Sequence, residues 1–234
     1  MMTVRGFRPV LEALRAQPLR VKKVLIYGAV GAKKLEIENL ARSLNVPVYR
    51  ESREAGTSGV LAQLSTFQWA DFDELLESAT SPALFLVLDQ VSDPRNFGAI
   101  VRAADGAGVH GIVIHERKMA PPSEVAVVAS AGALLHSRVA RVRNISDALS
   151  RFKQVGVWTV GLQPTAKQLW NSFDYSEPVA IVLGSEGRGL RQHVANTCDT
   201  LVSLPQNGTV ESLNISVAAG VVLYEIVRQR MENK

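Results

Sequence analysis

Short β-branched apolar runs, each stopped by glycine, proline or an acidic residue, recur along the last two-thirds of the chain, over 83–89, 111–115, 155–162, 179–183 and 201–205. Runs this brief and this rich in Val, Ile and Leu read as buried strands. Between them, 96–107, 123–130 and 146–153 carry helical spacing. Strands alternating with helices predict an α/β domain with a parallel sheet. The closing segment, 213–230, is helical in pattern, and its middle (Val217-Ala218-Ala219-Gly220-Val221-Val222-Leu223) is apolar nearly all round. Such a helix is covered on more than one side, so a homodimer interface is expected there.

The first eighty residues read as a smaller α/β unit. Helices are expected over 6–15, 34–44 and 71–78, and strands over 21–27, 46–49 and 60–64, with a polar loop at 51–59. The helix at 34–44 places Leu35, Ile37, Leu40, Ala41 and Leu44 at amphipathic spacing. Thr80-Ser81-Pro82 is short and turn-rich and stands just before a strong strand. It divides the chain into expected domains 1–79 and 83–234.

Length and composition fit this division. The 234 residues suffice for one full α/β domain and a small one. No apolar run approaches the roughly 18 residues that span a bilayer, and the N-terminal residues lack a signal-peptide core. A cytoplasmic protein without membrane contact is expected. Cys198 is the sole cysteine, which leaves no internal disulfide, and the four histidines lack metal-ligand spacing, so no metal is expected. Cys198 itself reads as a packing residue. The charge is uneven: residues 1–50 hold ten Lys/Arg against three Asp/Glu, and residues 51–82 hold one against six. A basic N-terminal block suggests a polyanionic partner such as nucleic acid.

Gly106-Ala107-Gly108-Val109-His110-Gly111 matches a dinucleotide-binding fingerprint in letters only. It follows a helix and precedes a strand, the reverse of what that fingerprint requires, and reads as a helix stop. More informative are the glycine-bearing loops at strand ends, where ligands of open α/β sheets bind. Gly184, Gly187 and Gly189 let backbone turn sharply and approach a ligand, with Glu186 among them. After the 83–89 strand comes Asp93-Pro94-Arg95-Asn96-Phe97-Gly98, in which Asn96 is placed to cap the next helix. Arg102 stands alone on an otherwise small and apolar helix.

Three blocks follow strands in a fixed order: Asp-Pro-Arg-Asn-Phe-Gly-x-x-x-Arg from Asp93, Leu-Gly-Ser-Glu-Gly-x-Gly-Leu from Leu183, and Pro-x-x-Gly-x-x-Glu-Ser-Leu-Asn-Ile-Ser from Pro205. Together, over 83–230, they closely resemble the SpoU (TrmH-like) family of RNA ribose 2′-O-methyltransferases in the SPOUT superfamily. The N-terminal unit is similar to that family's small RNA-binding domain, related to ribosomal protein L30e. The layout is nearest to the subfamily that methylates a guanosine of large-subunit (23S) ribosomal RNA. Transfer RNA, another ribosomal site such as that of thiostrepton resistance, and a non-catalytic RNA-binding role stay open as alternatives.

The resemblance implies a parallel sheet whose C-terminal part forms a trefoil knot, with S-adenosylmethionine held by backbone around Gly184, Leu204 and Leu213. It implies catalytic or substrate roles for Asn96, Arg102, Glu186, Ser212 and Asn214, and a homodimer. Lys22, Lys23, Lys33 and Lys34 of the basic block are expected to meet RNA phosphates. The chain departs from the ribosomal-RNA subfamily at Thr57-Ser58-Gly59, where His-Gln-Gly is common, and this bears on which nucleotide is recognised.

Overall fold

The computed structural model describes residues 2–51, 59–117, 119–187, 189–209 and 212–232. The N-terminal part consists of β1 (Met2–Arg5), α1 (Phe7–Ala16), β2 (Val21–Tyr27), α2 (Ala32–Ser43), β3 (Val48–Glu51) and β4 (Val60–Leu64). Its four strands form one sheet in the order β1-β4-β2-β3, with only β2 and β3 parallel. Helix α1 buries Val10, Leu11, Ala13 and Leu14, one face of its amphipathic pattern. Thr57 and Ser58 lie outside the described residues.

The rest of the chain runs α3 (Phe72–Glu77), β5 (Leu84–Leu88), α4 (Pro94–Gly106), β6 (Gly111–His115), α5 (Glu124–Ala129), β7 (Val139–Val142), α6 (Ile145–Gln154), β8 (Trp158–Leu162), β9 (Gln168–Leu169), β10 (Val179–Leu183), α7 (Gln192–Thr197), β11 (Thr200–Ser203) and α8 (Ile215–Glu232). Its strands make a second sheet, β7-β6-β5-β10-β8-β11-β9, parallel throughout. Every residue of the central strands β5 and β10 is buried, as continuous apolar runs covered on both faces must be. Leu84, Leu86 and Leu88 face one core, which also takes in α4, α5 and α8. Phe85 and Val87 face the other, with Leu149 and Phe152 of α6 and Val194 of α7.

The sequence-predicted strands and helices of both parts are present, with four additions and one correction. Strands β1, β7 and β9 and helix α7 are too short to stand out as apolar patterns. The correction concerns Asn96. Helix α4 begins at Pro94, and its cap is Asp93, whose Oδ1 accepts the Arg95 N–H at 2.8 Å. Proline is favoured at the first helical position because its missing N–H has no partner to lose. Asn96 therefore lies inside the first turn, its side chain free for other work.

Helix α3 falls in the N-terminal stretch of the sequence yet packs on the large sheet. Leu75 is fully buried with Phe85, Val113 and Phe152, and a side chain at Gly111 would collide with it. The segment leading to α3 is held by a ladder of rings and guanidinium groups. Arg141 stands 4.2 Å from the Trp69 ring centroid, Trp69 meets Phe67 edge-on at 4.9 Å, and Arg20 covers Phe67. The N-terminal sheet meets the helical layer of the large one through Arg5–Glu124 at 3.1 Å, His136–Glu12 at 2.9 Å and Gln17 donating to the Leu135 carbonyl at 2.5 Å.

At the other end of the molecule, Arg230 fastens α8. Its guanidinium donates to the carbonyls of Pro82, Ala83, Tyr175 and Glu177 at 2.7–3.1 Å. Gln229 adds a donation to the Phe173 carbonyl at 3.1 Å and accepts the Tyr175 N–H at 3.0 Å.

Candidate active site

Strand β10 ends at Gly184, and the chain there doubles back tightly. Ser185 N–H donates to the Gly189 carbonyl and Gly189 N–H to that of Ser185, both at 3.0 Å. A Cβ on Gly184 would stand 2.1 Å from the Gly189 carbonyl carbon and oxygen, so only glycine fits. Gly187 and Gly189 take left-handed φ values of 79° and 67°, which glycine adopts without cost. Gln163, just past β8, accepts the Leu190 N–H at 3.0 Å and steadies the loop from beneath.

The loop walls one side of a cleft of about 550 Å³. Leu162, Leu204, Leu213 and Ile215 supply apolar walls, and Gly184, Ser185, Glu186 and Ser212 supply exposed backbone and polar groups. All three positions expected to hold a cofactor, Gly184, Leu204 and Leu213, line this cleft, as do Glu186 and Ser212. The cleft lies at the carboxyl ends of β10, β8 and β11, where a parallel sheet is expected to place a ligand.

At the rim, three of the expected side chains meet. The Asn214 amide donates to Glu186 Oε1 and to Asn96 Oδ1, both at 3.0 Å. Asn96 in turn donates to Glu186 Oε2 at 3.2 Å. The Asn214 oxygen accepts the Ser216 N–H at 2.9 Å and the Ser216 hydroxyl at 2.6 Å, closing the first turn of α8. One carboxylate is thus held by two amides drawn from α4 and the start of α8, over sequence separations of 90 and 28 residues. Each amide uses separate atoms for donating and accepting, so the three side chains fix one another's orientation.

Arg102 is not in this group. On α4 it lies six residues beyond Asn96, about a third of a turn round the helix, and it faces a separate hollow with Glu12, Asp105 and His136. The four lysines also divide. Lys22 and Lys23 stand at the start of β2, while Lys33 and Lys34 begin α2 beyond its other end. Lys34 donates to the carbonyls of Tyr27 and Ala29 at 2.6 and 2.8 Å. Lys23 covers the Tyr49 ring and Lys33 the Phe7 ring, each at 5.7 Å. Lys22 is exposed and has no partner among the described residues.

Two supporting residues escaped the sequence reading. Asp89, 1% exposed at the end of β5, is gripped by Arg191, the residue that follows the glycine loop. The available signal was a carboxylate closing an apolar run, since a buried charge requires a partner. Gln163 gave no comparable signal. Cys198 behaves as the packing residue expected: burial pushes its thiol up to about 12. No group of side chains that could hold a metal ion occurs among the described residues, and no described helix is long and apolar enough to cross a membrane.

The cleft suits S-adenosylmethionine on its own features. Its apolar walls suit the adenosine and methionine carbon skeleton, the exposed backbone at Gly184 and Ser185 offers hydrogen-bonding groups, and Glu186 and Ser212 offer polar partners.

Comparison with known proteins agrees. The model of the SpoU rRNA Methylase family matches residues 83–224. The chain is 35% identical to YacO of Bacillus subtilis, named as a TrmH family tRNA/rRNA methyltransferase, over 97% of this chain and 95% of that one. It is 42% identical to a tRNA/rRNA methyltransferase of Mycobacterium ulcerans named as uncharacterized, over 97% of this chain and 77% of that one. In fold it resembles the SpoU methyltransferase AviRb of Streptomyces viridochromogenes in complex with S-adenosylmethionine. That match has a TM-score of 0.86 and 25% identity over 98% of this chain and 90% of that one. The chain belongs to the SpoU family of RNA methylases, enzymes that use S-adenosylmethionine as methyl donor.

Proposed function

We propose that this protein methylates a ribose 2′-hydroxyl of RNA, with a guanosine of large-subunit (23S) ribosomal RNA as the target. The observation that carries the reading is the Asn96–Glu186–Asn214 group at the rim of the cleft. S-adenosylmethionine, when bound, supplies a methyl group activated on a sulfonium. The protein's own task is to place a weak nucleophile in line and accept its proton. Glu186, oriented by two amide donors, lines the mouth of the cleft. There it accepts the hydrogen of the incoming hydroxyl and takes the proton as the new O–C bond forms and the S–C bond breaks. Arg102 keeps its proton under all ordinary conditions, so it is no base. It holds a neighbouring phosphate and stabilises the developing alkoxide.

For Arg102 to do this, a second copy is required, because in one chain it faces away from the cleft. We propose a homodimer in which Arg102 serves the partner's cleft. Val217, Val221 and Tyr224 form an exposed stripe on α8, at 51%, 38% and 54% exposure, and Val125 and Val128 are exposed on α5. Helix α4 packs between these two helices, so both apolar patches flank the helix that carries Arg102. Exposed apolar groups of this extent mark interaction surfaces. We also read the N-terminal sheet with α1 and α2 as the RNA-reading unit, α3 belonging to the large sheet, and the chain after β10 as the knotted part. Equilibrium sedimentation of the wild type and of Val221→Glu tests the dimer; a wild type monomeric at micromolar concentration argues against it.

The deciding experiment supplies labelled S-adenosylmethionine with large-subunit ribosomal RNA and, in parallel, bulk transfer RNA, and then maps 2′-O-methyl sites. Label at one ribosomal guanosine, lost in Arg102→Ala, is expected. Label in transfer RNA alone keeps the chemistry and replaces the substrate, and the names of the relatives cover both RNAs. No label in either RNA rejects the reading.

A further inference from the structure

The hollow that receives Arg102 has features the cleft does not explain. It measures about 650 Å³ and lies between α4, the turn at 130–133 and α1 of the N-terminal sheet. Arg102 and Asp105 both line it, one helical turn apart. Oppositely charged side chains at this spacing commonly pair. Here they do not, and neither has a hydrogen bond or ion pair with any described residue. The remaining charges are already engaged: Glu12 pairs with His136 at 2.9 Å and with Arg15 at 3.4 Å. The hollow therefore presents one guanidinium and one carboxylate, both unpaired among the described residues and both exposed on this chain.

Its far wall is shaped by unusual backbone. Ala131 adopts a left-handed φ of 53°, followed by Gly132 at 96°. A residue with a Cβ in that region costs about 1 kcal/mol, and such outliers gather where a surface is shaped for a ligand. A Cβ on Gly132 would stand 2.7 Å from the Glu12 stem, so glycine is what lets Glu12 close the wall. A second hollow, of about 700 Å³ and including Gly108 and Arg138, shares Asp105 and His136 with the first. The two make one groove along α4, and no residue of α8 lines either part.

We propose that this groove is an RNA subsite for the nucleotide next to the one methylated, with Arg102 on the phosphate and Asp105 on the base. The inference rests on the RNA methyltransferase reading above. A guanidinium matches phosphate geometry. A carboxylate accepts only, so it selects a base edge that donates. Guanine presents two adjacent donors, N1–H and the N2 amino group, which one carboxylate can take together. A base splayed out of a loop reaches such a site, the usual form in which single-stranded RNA is read. Asp105 is then a specificity residue distinct from the cofactor cleft.

The test measures binding of full-length wild type, Asp105→Asn and Asp105→Ala to purified large-subunit ribosomal RNA and to bulk transfer RNA. S-adenosylmethionine binding serves as the check on folding, since Asp105 is exposed on a helix surface. RNA affinity is expected to fall roughly 5- to 100-fold in both variants, the worth of one good bidentate base contact, with cofactor affinity unchanged. Ultraviolet cross-linking of the wild type should place an RNA adduct on the tryptic peptide 119–138. Variants that bind RNA as tightly as wild type, or adducts confined to other peptides, overturn the subsite. If methyl transfer proceeds normally in that case, the enzymatic reading survives. An adduct on 119–138 with no methyl transfer to either RNA supports the subsite and rejects the enzymatic reading. No RNA binding by the wild type rejects both.

Discussion

Arg191 closes a fork on the buried carboxylate of Asp89, its Nε 2.9 Å from Oδ2 and its Nη2 2.6 Å from Oδ1. The pair ties the end of β5 to the end of the glycine loop. Asp89 also donates its backbone N–H to the Leu183 carbonyl at 2.7 Å, so both ends of that loop are set by one residue. Removing the charge in Asp89→Asn leaves a half-buried guanidinium without its counter-ion. About 2–4 kcal/mol of stability is expected to go, measured by urea unfolding, together with at least a tenfold loss of S-adenosylmethionine affinity.

Gly184→Ala puts a methyl group into the Gly189 carbonyl. The loop must open to admit it, and the cofactor wall moves with it. Calorimetric titration is expected to show S-adenosylmethionine affinity falling at least tenfold, while circular dichroism shows the sheet intact. Normal affinity in this variant would mean that the doubled-back loop is not the cofactor's wall.

Glu186→Gln keeps the size of the side chain and removes its charge and basicity. Turnover should fall about 100-fold or more, the usual worth of a positioned acid–base group, with cofactor affinity little changed. Asn214→Ala should lower turnover less, since Asn96 still holds one carboxylate oxygen. It should also destabilise α8 by about 1 kcal/mol through the lost cap. A Glu186→Gln enzyme of full activity would transfer the proton-accepting role elsewhere.

Arg230→Ala removes donors from four carbonyls at once. Hydrogen bonds from a charged donor are each worth about 1.5–3 kcal/mol and do not add simply. A loss near 3 kcal/mol is expected, read as a lowered Tm by calorimetry. Arg230→Lys should recover only a part of it, because a point charge cannot reach four acceptors.

Cys198 offers a pH test. Its folded-state thiol is raised to about 12 by burial, above the ordinary value of the unfolded chain. The folded form therefore binds the proton more tightly than the unfolded one. The associated stability is complete below about pH 8.5 and is lost as pH rises towards 12. Reaction with a thiol reagent at pH 8 should be slow in the native protein and fast in denaturant. Fast labelling of the native protein would show the sulfur to be accessible.

Much of this architecture could be read from local pattern. The runs that became β5, β6 and β10 are apolar throughout because both faces of those strands are covered, and such runs are visible without any neighbour. The glycine loop after β10 was legible for the same reason, since the residue types themselves carry the conformational demand. Pairings across the chain were not. Asn96 sits at a position where a cap looks reasonable, and only the start of α4 at Pro94 shows that Asp93 does that work and frees Asn96 for Glu186. Helix α3 reads as part of the N-terminal unit until Leu75 is seen in the core of the other sheet. The sequence by itself determined the buried central strands, the glycine loop and the family, because those depend on neighbouring residues and on motif order. Only the tertiary structure decided which side chains meet, Asn96 with Glu186 and Asp89 with Arg191, and that Arg102 faces away from the cleft. Contacts spanning 90 residues or more leave no periodicity for a sequence pattern to carry.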